Sequence, residues 1–88
     1  MILAHLTLIA AGVVATAGAA LADEHDRMVR ICLDRMREAT GYPESSVTIT
    51  QEHWTETGHL NLTLRTTRKV AHCTVRPDLV IAGFDLMN

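Results

Sequence analysis

Residues 1–22, MILAHLTLIAAGVVATAGAALA, lack Asp, Glu, Lys and Arg; all ten acids and all eight Lys/Arg follow Ala22. Such a step in composition marks a targeting segment and excludes an ordinary fold element. The apolar run Leu6–Ala22 is alanine-rich and short of the ~20 residues a spanning helix requires. Ala20-Leu21-Ala22 fits the small-x-small rule for cleavage before Asp23. The opening MILAH lacks Lys and Arg, so an uncleaved N-terminal anchor is the alternative. No cysteine follows the run directly, which argues against a lipid-modified residue at the cut. The expectation is a cleavable signal peptide at 1–22 and a single small domain at 23–88. That domain is expected in the periplasm or secreted, without membrane attachment.

Other absences narrow function. There is no glycine-rich phosphate loop and no nucleophile elbow around Ser45 or Ser46, and no carboxylate pair stands ready for acid–base work. A domain this short has little room for a walled pocket. The expectation is a protein that is not an enzyme and carries no cofactor. The chain has a net charge of −2. Arg27, Arg30 and Arg37 are interleaved with Asp26, Asp34 and Glu38, the pattern of a solvated face, so no nucleic-acid partner is expected. His25, His53, His59 and His72 lack the short-spaced convergence of a zinc site. Alternation puts His53 and His59 on opposite sheet faces, so no metal is expected.

The cysteine count is two, which permits one intramolecular pairing. A domain near the lower size limit for a self-sufficient core needs a staple, and an exported chain meets an oxidising compartment. Cys32 and Cys73 are the expected disulfide.

Residues 23–40, DEHDRMVRICLDRMREAT, carry the strongest pattern. At 100° per residue, His25, Met28, Val29, Cys32, Leu33, Met36, Ala39 and Thr40 fall within an arc of about 140°. Ile31 alone breaks the division. Asp23 suits the N-cap, and Asp26–Arg30 and Arg30–Asp34 have i,i+4 spacing. Gly41 and Pro43 predict the stop.

Beyond Pro43 the period becomes two. Val47 and Ile49, then Leu60, Leu62 and Leu64, then Ala71, Cys73 and Val75, then Val80, Ala82, Phe84 and Leu86 form four alternating sets. Short connections demand antiparallel neighbours. A Thr55–Gly58 loop sets Ile49 opposite Leu64. A two-residue Thr67-Arg68 loop sets Leu62 opposite Cys73, and a two-residue Pro77-Asp78 loop sets Cys73 opposite Ala82 and Ala71 opposite Phe84. All four sets then share one face with Cys73. The expected fold class is α+β: one N-terminal amphipathic helix packed on a four-stranded antiparallel β-meander (α-β-β-β-β), pinned by one disulfide.

The opposite face is expected to carry Thr48, Thr50, Glu52, Trp54, His59, His72, Arg76 and Leu79 among others. In that register Trp54, His59, Arg76 and Leu79 make one cross-strand row. Trp and Arg beside an aliphatic are the residue types that anchor interfaces. The functional expectation is a protein-binding module of unknown partner, for example an inhibitor or accessory subunit. The alternative is a structural domain that pairs with itself through its sheet edges.

Overall fold

The computed structural model describes residues 23–87. The expected signal peptide, residues 1–22, lies outside the described residues. One helix, α1 (residues 23–40), packs on a four-stranded antiparallel sheet ordered β1-β2-β3-β4. The strands are β1 (Thr48–Trp54), β2 (Leu60–Arg65), β3 (Val70–Val75) and β4 (Ile81–Met87). Among the described residues, no helix is long and apolar enough to cross a membrane.

The helical stripe does what its spacing dictates. Met28, Cys32 and Met36, four residues apart, are fully buried, and Val29, Ile31 and Leu33 flank them against the core. Ile31 therefore belongs to the buried side, whereas Ala39 is exposed. The predicted i,i+4 pairs are not the ones formed. Arg30 reaches Glu44 at 3.5 Å, Asp34 pairs with Arg37 at 3.4 Å, and Asp23 pairs with Arg27 at 3.0 Å. Asp23 itself is helical, so its carboxylate serves this pair instead of an N-cap. At the other end Gly41 has φ +78° and donates its N–H to the Arg37 carbonyl at 2.8 Å, the left-handed stop that glycine allows. Pro43 then leads into a 3₁₀ turn, Glu44–Ser46.

Under the helix lie Leu60, Leu62, Leu64, Ala71, Cys73 and Val75, all buried. Cys32 and Cys73 form a disulfide with 6.0 Å between Cα atoms, spanning 41 positions of sequence. The helix and the sheet are thus bonded through the centre of their shared core.

The central hairpin follows the sequence: Leu62 stands opposite Cys73 and Leu64 opposite Ala71. Its Thr67-Arg68 loop has neither Gly nor Asn. Thr66 compensates, because its N–H bonds the Lys69 carbonyl at 2.9 Å while its Oγ1 accepts from the Lys69 N–H at 3.0 Å.

The outer hairpins depart from the expected loops, both in the same way. Thr55 N–H bonds the His59 carbonyl and Gly58 N–H bonds the Thr55 carbonyl, leaving a three-residue loop, 56–58. Arg76 N–H bonds the Val80 carbonyl and Leu79 N–H bonds the Arg76 carbonyl, leaving 77–79. Gly58 (φ +83°) and Leu79 (φ +66°) hold the left-handed position that such loops require. Each odd loop reverses the side-chain parity beside it, and a bulge then reverses it back. Thr50 is the extra residue in β1, between Ile49↔Leu64 and Gln51↔Thr63. Ala82 is the extra residue in β4, between Val75↔Ile81 and Thr74↔Gly83.

Several expected partners change as a result. Cys73 faces Phe84 instead of Ala82, and Ala71 faces Leu86 instead of Phe84. Ile81 turns to the core, and Val80 is left half exposed. Glu52 and Trp54 stand opposite Leu62 and Leu60, on the helix side.

The two outer loops touch. A Cβ built on Gly58 would lie 3.2 Å from Pro77 Cγ. Gly58→Ala meets both this contact and a positive φ. It is expected to cost about 1–2 kcal/mol, read as a lower urea midpoint at unchanged m-value.

Candidate functional site

The four residues that sequence alternation placed in one row are split between the two faces. They do stay at one end of the sheet, where both outer loops and the start of the described helix meet. Trp54 ends the inner row Trp54–Leu60–Val75–Ile81. Leu79 also turns inward and packs against the core. His59 and Arg76, one position beyond Leu60 and Val75 in the register, belong to the outer face. For Trp54 the physical reason is the Thr50 bulge, which rotates residues 51–54 by one step relative to simple alternation, and for Leu79 it is the three-residue 77–79 loop.

Trp54 is 45% exposed although it sits on the core side. Edge strand β1 lies at the margin of the layer beneath α1, so only part of the ring is covered. His25 stacks obliquely on it, ring centroids 6.3 Å apart at 47°. The same imidazole contacts Glu52 Oε1 through Nε2 at 3.0 Å, and its Nδ1 lies 3.7 Å from Asp26. His25, Glu52 and Trp54 therefore join the first described turn of α1 to the sheet edge. The polar contact to Glu52 orients the imidazole beside the indole, which keeps one flank open to solvent.

On the other side of that end, Asp23, Glu24, Arg27, Pro77 and Leu79 line an open recess of about 290 Å³. Leu79 is bulky yet adopts a left-handed backbone that ordinarily costs about 1–2 kcal/mol. Its partial burial against the core works against this cost.

His59 and Arg76 are occupied locally. His59 Nδ1 is 2.9 Å from Thr57 Oγ1, and Arg76 donates to Asp78 Oδ2 at 2.8 Å. Each brace sits inside the loop that its residue borders.

The outer face bears a polar row crossing all four strands, Gln51–Thr63–His72–Asp85. Thr63 Oγ1 lies 3.4 Å from Gln51 and 3.2 Å from His72 Nδ1. In the next row Thr74 donates to Asn61 Oδ1 at 2.7 Å. The bulge brings His53 onto this outer face opposite Asn61, the same face as His59, contrary to the simple alternation. Among the described residues no group of three or more His, Cys, Asp or Glu is placed to hold a metal ion.

Two members of the Trp54 rim escaped sequence reasoning. His25 lies near the middle of the helical arc, among residues expected in the core. Glu52 carried no signal, since its face depends on the bulge.

The chain matches no protein-family model, no curated protein and no solved structure.

Proposed function

We propose that this is a small, non-catalytic protein-binding module that works in the periplasm or outside the cell, and that it captures its partner through the Trp54 rim. The observation that carries this reading is the placement of Trp54. The chain has one tryptophan. It stands on an edge strand, half open to solvent, beside the His25 ring that Glu52 orients. A large, rigid, partly exposed indole contributes heavily to an interface at small entropic cost. The buried disulfide supports the compartment, because such bonds persist where the surroundings oxidise thiols. It also occupies both cysteine sulfurs, so neither serves as a nucleophile.

Trp54→Ala is expected to leave the cooperative melt within a few degrees of the parent. It is expected to weaken capture of the partner from the organism's extracytoplasmic fraction by 30-fold or more, the size of a hot-spot loss. As the only tryptophan, Trp54 should also shift its emission to shorter wavelength when the isolated partner is added. Undiminished capture of the same protein by the variant, with no emission change in the parent, would exclude this rim.

A further inference from the structure

We infer that a second copy of this chain docks on the free edge of β4, antiparallel, with Phe84 opposite Phe84 of the copy. This surface is at the opposite edge of the sheet from Trp54, so the inference stands or falls separately from the Trp54 reading.

The two sheet edges are unlike. Both edge strands carry a bulge, Thr50 in β1 and Ala82 in β4, but in β1 Glu52 is also tied to His25 of the helix. β4 contains no Lys, Arg, Glu or Pro, the usual devices that keep an edge from pairing. Its one charge is Asp85, on the outer face opposite His72. Beyond the Ala82 bulge, residues 83–87 pair regularly with β3. Leu86 and Met87 there are about two-fifths exposed. Phe84 is only partly buried, with the Arg35 guanidinium 4.9 Å from its ring centroid. Among the described residues nothing pairs with the outer edge of this strand.

Symmetry selects the register. Two identical strands pairing antiparallel about a two-fold axis normal to the sheet keep both helices on one side. Inner residues must then face inner ones, so one residue faces its own copy. Phe84 is the midpoint of Ile81–Met87, and pairing about it keeps Gly83, Phe84 and Asp85 in strict register, with the Ala82 bulge of each copy ending the ladder opposite Leu86 of the other. This register sets Phe84 against Phe84 on the helix side, an aromatic cross-strand pair. It also sets Asp85 against Gly83 of the copy. Centring on Asp85 would instead oppose two carboxylates, which is destabilising. Arg35 lies 3.9 Å from Glu38, so the seam above the phenyl rings holds charges of both signs. Edge pairing of this size belongs to the small end of interfaces and produces a reversible dimer.

Gly83 supplies the test. It has no positive φ, and a Cβ built on it meets nothing within 4 Å, so side chains at 83 are accommodated in the single chain. In the dimer, residue 83 faces Asp85 of the other copy twice. Gly83→Lys is expected to tighten dimerisation at least threefold at low salt. Gly83→Asp is expected to weaken it at least threefold. Sedimentation equilibrium on the disulfide-bonded full chain reads both constants, and melts of dilute samples check that each variant is folded. A parent monomeric at the highest accessible concentration would overturn the inference. So would a dimer whose constant moves the same way, or not at all, for folded Lys and Asp variants, since association through another surface is indifferent to the sign of charge at 83.

Discussion

Replacing both cysteines, Cys32→Ala with Cys73→Ala, is expected to lower stability by about 3–4 kcal/mol. Loop-closure entropy sets this figure for a bond spanning 41 positions. Small domains have a total stability of ~5–15 kcal/mol, with the shortest chains at the lower end. The loss therefore removes a large part of what holds this fold. In a domain of this size each kcal/mol corresponds to roughly 4–8 °C, so the melting midpoint is expected to fall by about 12–30 °C. Alanine is the informative replacement because both positions are buried, where a serine hydroxyl would add an unpaired polar group. Each single Cys→Ala should cost nearly as much as the pair, since either one removes the same bond. Circular dichroism melts of the parent, the singles and the double variant check this. A midpoint shift under about 5 °C for the double variant would mean that the helix stays on the sheet by packing alone.

Leu62→Ala is the second large effect. Leu62 lies at the middle of the inner face, 2% exposed, opposite Cys73 on one side and Glu52 on the other. Truncation removes buried methyl groups and leaves a cavity beside the disulfide, which cannot follow because it is bonded at both ends. Losses of about 2–5 kcal/mol accompany such changes in close-packed cores. The next residue, Thr63, points the other way and makes only long hydrogen bonds to Gln51 and His72 on the outer face. Thr63→Ala is expected to cost less than about 1 kcal/mol. Chemical denaturation of both variants measures the contrast. Equal losses at adjacent positions would contradict the alternation on which the two-layer arrangement rests.

The parts legible in the sequence are those governed by near neighbours. The arc through Met28, Cys32 and Met36 follows from the helical period, and Gly41 with Pro43 stops it. Leu60, Leu62 and Leu64, against Ala71, Cys73 and Val75, follow from the pleat and one tight loop. Those two periodicities, read separately, aim both cysteines at one core. The pairing follows because only two exist.

The candidate site was the part that alternation misread. Trp54, His59, Arg76 and Leu79 were legible as unusual residues near one end, but not as residues of two faces. Nothing in Thr55-Glu56-Thr57-Gly58 or Pro77-Asp78 announces an odd loop, because Thr55 and Leu79 serve equally well as strand or loop residues. The structure chose three-residue loops, placing Gly58 and Leu79 in the left-handed position and packing Gly58 against Pro77.

By itself, then, the sequence determined the elements, their order and the covalent link, since each depends on local periodicity and on the number of sulfurs. Only the tertiary structure decided which way Glu52, Trp54 and Ile81 point. Side-chain parity beside a hairpin depends on loop length and bulges together. The bulges at Thr50 and Ala82 exist because the helix on one face requires Ile49, Phe84 and Leu86 to return to the core side after each odd turn.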